Sequence, residues 1–395
     1  MLDSGFLTTP IPTPAFSATE RAGVGMGVVG SHGESNNVEV RSIEMEPVKI
    51  GVIGCGVIGP HHLEAAVHTP LAEVVAVADL IPERGQAAAE KYRVPKIYRE
   101  GAELIEDPEV EAVVLAFPAD HRTELALQAF ANGKHVLTEK PVAMNAGEVR
   151  QMIQAQGDRV GACCSSRFRF TESARVATEF LASGALGKLR VVRARALGAA
   201  GPRPEKAPPD WRLIKSRNGG GILMNWGCYD LDYLLGITGW SLRPKTVFAQ
   251  TWTIPPQFEG HVYPGSDAET YYVGLVRCED GTVLSLERGE YMPAQTENAW
   301  QILGTRGSLR LQMTPASPWQ ILHDDTSAEQ GVVTRTLWEG EGSSSAVHHG
   351  PLSDFASAIR HGHPPKTTLE QALVVQQISD AIYASAEQGR AVEIP

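Results

Sequence analysis

The sequence predicts an α/β protein: an N-terminal doubly wound parallel sheet, then a C-terminal α/β domain with a large, open, mainly antiparallel sheet. Three observations predict it. Strand-like and helix-like segments alternate from residue 48 to about residue 165, which calls for crossovers and a parallel sheet. The first strand runs into a glycine-rich turn, Gly54-Cys-Gly56-Val-Ile-Gly59. After about residue 170 the rhythm gives way to long consecutive strands joined by short turns such as Glu279-Asp-Gly281 and Thr305-Arg-Gly307, the mark of antiparallel pairing.

The elements follow in order. Val48 to Ile53 is a β-branched run, and a helix starts after it, across His61 to His68. Glu73 to Asp79 alternates as a second strand, and residues 82–92 are rich in alanine and charge, as a surface helix is. Val110 to Phe117 is an apolar strand closed by Pro118; residues 121–132 repeat apolar positions at Leu125, Leu127 and Phe130 until Gly133 stops them. His135 to Thr138 is another strand, 145–156 a helix and Val160 to Ser165 a further strand. Beyond these come a helix at 172–183, a strand at 188–197, a Pro-rich loop from Gly201 to Pro209 and a Gly-rich turn with a helix at 218–236. Strands are expected at 245–253, 269–278, 282–291, 299–312 and 331–339, with a helical end at 351–390 around Phe355, Ile359, Leu373, Ile378 and Ile382. The division expected is a flexible tail at 1–46, rich in Pro, Gly, Ser and Thr, a nucleotide-binding domain at 47–168, and a substrate-binding and oligomerisation domain at 169–395.

Composition narrows the function. With 43% hydrophobic and 21% charged residues, the 395-residue chain is an ordinary core-forming protein. A net charge of -11 argues against nucleic-acid binding, which needs a basic face. No apolar run reaches membrane-span length, and no basic segment followed by an apolar one marks a secretory leader. The five cysteines (Cys55, Cys163, Cys164, Cys228 and Cys278) are odd in number and form no CxxC pair, so reduced thiols in a cytoplasmic protein are expected. The twelve histidines show no metal-ligand spacing, and no metal is expected.

Gly54-Cys-Gly56-Val-Ile-Gly59 fits GxGxxG, a weak pattern alone but a specific one directly after a strand and before a helix. Asp79 ends the next strand about 20 residues on, where the dinucleotide fingerprint places an acid for the adenosine ribose hydroxyls. Gly54 permits the tight turn, Gly56 lets the backbone approach a pyrophosphate, and Gly59 lets helix and strand pack; the helix N-terminus supplies N–H donors and partial positive charge. This is a Rossmann-type site. Gly25-Met-Gly27-Val-Val-Gly30 matches the same pattern but has neither strand before it nor acid after it, and is rejected. The Asp79 carboxylate repels a 2′-phosphate, so NAD is favoured, with NADP possible because Arg84 lies close in sequence.

Two segments carry the chemistry. Thr138-Glu139-Lys140-Pro141 ends a parallel strand, at the sheet edge where ligands bind. Gly219-Gly-Gly221 opens a helix on which Asn225 and Tyr229, four apart, share a face, with Asp232 three further on. These residues, with Asp79, the turn Phe117-Pro-Ala-Asp-His121, Arg167-Phe-Arg and Trp211-Arg212, resemble the glucose–fructose oxidoreductase / inositol dehydrogenase / MocA family over residues 47 to 390. The resemblance implies hydride transfer between a nicotinamide and a sugar, cyclitol or related polyol, in dimers or tetramers that pair through the open sheet. Many members carry Asp and His where this chain has Asn225 and Tyr229.

An amide exchanges no proton at neutral pH, so Asn225 is expected to orient substrate only. Lys140 is expected to bind the reacting oxygen, and Tyr229 to act as acid or base with its pKa lowered by the Lys140 ammonium. Gly54, Gly56, Val57, Ile58, Gly59, Asp79, Phe117, Pro118, His121, Glu139 and Lys140 are expected against the cofactor. Plainer roles stay open: a surface position for Lys140, a core tyrosine for Tyr229, pairing within the helix for Asp232, packing for Trp211 and Arg212, an ion pair for Arg167 and a helix cap for His121. Two rival functions also stay open. One is NAD-assisted glycoside cleavage through transient ring oxidation; the other is a non-enzymatic dinucleotide sensor.

Overall fold

The computed structural model describes residues 46–206, 209, 211–341 and 346–395. Nearly all of the expected tail at 1–46, and with it the rejected glycine pattern at Gly25 to Gly30, lies outside the described residues.

The first sheet holds β1 (Val48–Ile53), β2 (Ala72–Ala78), β3 (Lys96–Tyr98), β4 (Ala112–Leu115), β5 (His135–Thr138) and β6 (Gly161–Cys163), all parallel, in the order 3-2-1-4-5-6. That is the doubly wound dinucleotide-binding order. The helices α1 (Gly59–Val67), α2 (Pro82–Tyr92), α3 (Gly101–Glu106), α4 (Arg122–Ala131) and α5 (Ala146–Gln156) make the connections. The sequence reading has no counterpart for β3 or α3. β3 is three residues long and half-exposed at the sheet edge, and so shows no apolar run.

Alternate residues of β1 and β4 face opposite cores, as the two-residue period requires. Val52 and Val114 join Leu63 on one side; Ile53 and Leu115 join Leu104 and Met152 on the other. Both cores are completed from the far end of the chain. Leu352 and Phe355, on α9 (His349–His361), enter the first core, and Leu369, which opens α10 (Leu369–Gln388), enters the second.

Between these ends lie α6 (Glu172–Ala182), β7 (Leu189–Ala199), α7 (Lys215–Asn218), α8 (Cys228–Ile237), β8 (Pro244–Trp252), β9 (Tyr271–Cys278), β10 (Val283–Met292), β11 (Glu297–Gly304), β12 (Gly307–Leu311), β13 (Trp319–Ser327) and β14 (Gly331–Gly340); β15 (Val392–Glu393) ends the chain. They form a nine-stranded sheet in the order β14-β13-β12-β11-β7-β10-β9-β8-β15. Its recorded pairings are antiparallel except β7 with β10. β13 is missing from the sequence reading because the Pro-rich stretch before Trp319 reads as loop.

One face of this sheet packs on α8 and α10, with Trp300, Leu284, Leu286, Leu231 and Ile382 buried between them. The other face shows the cross-strand pair Phe248 and Leu275, 56% and 51% exposed, and Trp252 stacked on Tyr271. No helix among the described residues is long and apolar enough to cross a membrane.

Candidate active site

The glycine turn is built as a phosphate seat. Gly54 takes φ +95°, and a side chain there would meet the Ala116 carbonyl at 2.5 Å; one at Gly59 would meet the Gly54 carbonyl at 2.1 Å. The protein's own packing therefore demands glycine at both. Gly56 differs: its nearest neighbour on the side-chain side is Arg84 Nη1 at 3.7 Å, so the open space there suits an approaching ligand. Val57 is exposed, Ile58 half-buried, and no side chain caps the N-terminus of α1, which leaves its first N–H groups for an anion. Asp79 stands at the end of β2 and accepts from Cys55 N at 2.7 Å and Ile81 N at 2.8 Å. The acid is thereby fixed beside the glycine turn.

The turns after β4 and β5 are stapled together by Arg122, a buried residue absent from the expected site. Its guanidinium donates to the carbonyls of Phe117 (3.0 Å), Glu139 (2.7 Å) and Pro141. Phe117 and Pro118 are half-buried at this edge. His121 is 72% exposed and makes no capping bond at the start of α4, so the capping reading does not hold.

Lys140 and Asn225 meet, a contact the sequence reading did not name. Lys140 Nζ donates to Asn225 Oδ1 at 2.8 Å and to the Asn225 carbonyl at 3.1 Å. An ammonium has three donors, so two are fixed and one stays available. Asn225 is brought there by the glycine segment. A side chain at Gly221 would lie 1.8 Å from the Glu269 carbonyl, and the Glu269 carboxylate accepts from Gly221 N (2.9 Å) and Leu223 N (3.0 Å). One wide π-type turn, Leu223–Gly227, then precedes α8 and leaves Asn225 and Trp226 half-buried among buried neighbours. Burial pushes the Lys140 ammonium below the usual lysine range.

Tyr229 lies elsewhere than its expected role requires. It is 3% exposed, and its hydroxyl accepts from Arg167 Nη1 at 2.6 Å. Arg167 Nη2 holds Glu139 Oε1 at 2.7 Å, and His62 Nε2 lies 2.9 Å from the same oxygen. Lys140 Nζ sits over the tyrosine ring, 5.2 Å from its centre. Burial drives the phenol well above its ordinary value, and the cation that opposes the shift is Arg167. The expected lowering by Lys140 is thus corrected: the ammonium faces the ring, and the hydroxyl belongs to Arg167. Glu139 also accepts from Lys140 N at 3.1 Å. Burial works to raise its carboxyl, but the Arg167 charge, the His62 hydrogen bond and the Lys140 charge prevail and hold it well below the usual carboxylate range.

Of the remaining expected residues, Asp232 is fully buried, bonded to Ser165 (2.7 Å), Arg169 (2.6 Å) and Thr367 (2.7 Å). Its pairing is between elements, neither within its own helix nor toward a cleft. Arg167 is the ion-pair member its plainer reading describes. Arg212 pairs with Glu290 and donates to the Tyr291 hydroxyl at 3.1 Å, while Trp211 stands beside it, half-buried. His62, Glu139 and Cys164 bring donor atoms within 4.8 Å of one another, a grouping the spacing of the histidines did not reveal. Arg167 pairs with the same Glu139 carboxylate at 2.7 Å.

Comparisons with known proteins agree with this fold. Residues 48–164 match the model of an oxidoreductase family with an NAD-binding Rossmann fold, and residues 174–310 match the GFO/IDH/MocA C-terminal domain. A 1,5-anhydro-D-fructose reductase of Ensifer adhaerens is 26% identical over 352 residues, 87% of this chain and 98% of that protein. A myo-inositol 2-dehydrogenase of Thermotoga maritima is 25% identical over 349 residues, 88% of this chain and 98% of its own length. Among solved structures, levoglucosan dehydrogenase in complex with NADH and L-sorbose superposes with a TM-score of 0.75 at 22% identity, covering 89% of this chain and 100% of that one.

Proposed function

This chain belongs to the GFO/IDH/MocA oxidoreductase family, and we propose that it moves a hydride between NAD and a ring-borne secondary alcohol or ketone of a sugar, cyclitol or glycoside. The observation that carries this reading is Lys140. Its ammonium stands at the end of β5, with two donors fixed on Asn225 and one available for the reacting oxygen. The substrate class rests on relatives named for anhydrofructose, myo-inositol and D-glucoside, matched over most of their length. Their dehydrogenase and reductase names do not favour glycoside cleavage or a non-enzymatic sensor.

NAD would lie with its pyrophosphate on Gly56 and the start of α1 and its ribose hydroxyls on Asp79; when bound it supplies or accepts the hydride. Val57, Ile58, Phe117, Pro118 and His121 are the other residues we assign to its surroundings, with Glu139 acting from beneath through Lys140. Lys140 hydrogen-bonds the substrate oxygen; as the neutral amine it takes the hydroxyl proton during oxidation, becoming the ammonium, and as the ammonium it returns that proton during reduction. Burial, which pushes the ammonium below its ordinary range, favours that exchange. Asn225 aims the ammonium, and Tyr229 supports it from beneath rather than exchanging the proton itself. Trp211 and Arg212 are assigned to the substrate rim.

The division at residue 168 belongs to this proposal, as does a cytoplasmic setting, which the five free, buried cysteines suit. So does pairing of copies through the sheet face that carries Phe248 and Leu275, whose exposed apolar surface supports it. The test is a panel of sugars, cyclitols and glycosides with NAD and NADP, followed at the absorbance of reduced nicotinamide. Turnover of at least one polyol that Lys140→Met abolishes is expected; a panel with no turnover, or a methionine variant as active as the parent, overturns the reading.

A further inference from the structure

Two cations share the ring of Tyr229. Lys140 Nζ lies 5.2 Å from its centre and Arg167 Cζ lies 5.5 Å from the same point. Arg167 is 5% exposed and is held on both sides, by the Tyr229 hydroxyl at 2.6 Å and Glu139 Oε1 at 2.7 Å. Glu139 is the chain neighbour of Lys140 and accepts from its backbone N–H. A guanidinium cannot lose its proton, so its charge is permanent at any working pH. A permanent charge on the same ring as a half-buried ammonium acts on the ease with which that ammonium gives up its own proton.

We propose that Arg167 is a positioning residue that sets the pH at which Lys140 exchanges its proton, acting across the Tyr229 ring and through Glu139. The inference rests on the reading of Lys140 given above. The groups that face Lys140 from the packed elements are Glu139 at the end of β5, Arg122 of α4, Arg167 in the segment before α6, and Cys228 and Tyr229 of α8. Of these, Cys228 and Glu139 favour the charged lysine, while Arg167 and Arg122 disfavour it. Arg122 is spent on three carbonyls, and Arg167 alone shares the ring beneath the ammonium. Arg167 also cancels the Glu139 carboxylate, which would otherwise hold the proton on Lys140.

The test compares Arg167→Gln, which keeps hydrogen-bond donors and loses the charge, with Arg167→Lys, which keeps the charge and loses the fork. The rate constant kcat/KM for oxidation of a polyol by NAD is measured against pH. In the parent it rises through an inflection as Lys140 loses its proton. Arg167→Gln is expected to move that inflection upward by about one pH unit, the scale of a unit charge several ångströms away at an effective dielectric of about 20. Below the inflection this costs about tenfold in rate, and Arg167→Lys is expected to hold the parent's inflection. A readout free of turnover is the pH dependence of Lys140 acylation by acetic anhydride, followed by mass spectrometry in the NAD-free protein and expected to shift by the same amount. If the glutamine variant does not fold, the lysine variant and Tyr229→Phe are compared by that labelling, and neither is expected to move the profile by more than a few tenths of a unit. An inflection unchanged in Arg167→Gln, or moved equally by Arg167→Lys, overturns the inference. A parent profile with no Lys140-dependent inflection overturns the underlying reading of Lys140 instead.

Discussion

The Arg167 guanidinium donates to the Tyr229 phenol oxygen at 2.6 Å, and the tyrosine beneath Lys140 thereby faces a buried cation with its only polar atom. This relationship separates Tyr229 from Asn225, four residues earlier, which meets Lys140 instead.

Tyr229→Phe is expected to keep kcat/KM within about tenfold of the parent, far short of the 10²–10⁴ that removal of a general acid or base costs. Its cost falls on stability instead, about 1–3 kcal/mol, because an Arg167 donor loses its buried acceptor. Parallel kinetics and urea unfolding check this; a rate loss of about 10³ with unchanged stability would return the proton transfer to the tyrosine.

Lys140→Met is expected to lower turnover by more than about 10³ in either direction while the dissociation constant for NAD changes by less than about threefold, since the pyrophosphate seat is remote from β5 chemistry. In the parent, oxidation gains and reduction loses rate as pH rises through one shared inflection, below the ordinary lysine value of about 10.4, because burial disfavours the charged amine. Steady-state rates in both directions, with cofactor fluorescence titration, provide the measurement.

The glycines of the turn should separate by purpose. Gly56→Ala is expected to leave the melting temperature nearly unchanged and to weaken NAD at least about tenfold, because its side-chain space is open in the protein and needed by the phosphates. Gly59→Ala is expected to destabilise the fold itself, since the added carbon meets the Gly54 carbonyl at 2.1 Å. Calorimetry and NAD titration on both variants decide this; equal loss of stability in the two would remove the ligand from the explanation of Gly56.

Asp79→Ala is expected to reduce the preference for NAD over NADP, by loss of repulsion toward the 2′-phosphate, and to loosen the glycine turn it holds at Cys55 N. The ratio of kcat/KM with the two cofactors reports the first effect. A ratio that does not move would transfer the discrimination to Arg84.

Glu139 gives the protein a defined acid sensitivity. Its carboxyl is held well below the usual range, so the stability it contributes is fully present above the unfolded value of about 4.3 and is lost as pH falls toward its folded value. Glu139→Gln should therefore flatten the decline of the urea midpoint in that acid window. An identical decline in the two proteins would mean that another carboxylate controls it.

Much of this was legible in the chain. The parallel sheet follows from the alternation of segments between Val48 and Cys163, and the phosphate seat from three glycines set between a strand and a helix. Lys140 and Asn225 were legible as site residues because each sits beside a proline or glycine signal that fixes its backbone. Arg122, His62 and Glu269 were not, because they act on Glu139, Glu139 and Gly221, which lie 17, 77 and 48 positions away. Arg122, in the first turn after Phe117-Pro-Ala-Asp-His121, carried the one local hint, a cation next to a strand-end turn. β3 and β13 were missed for a different reason: short or Pro-flanked strands lack the apolar run that marks a buried one.

The sequence by itself determined the architecture and the nucleotide-binding edge, since periodicity and glycine placement are local properties that a chain carries wherever it goes. Only the tertiary structure decided which way the polar atoms face. Whether Tyr229 turns toward a substrate or toward Arg167, and whether Asp232 meets solvent or Ser165, depends on what distant segments bring to the same buried volume. A buried hydrogen-bonding group takes the partner that packing supplies, and no spacing along the chain records that choice.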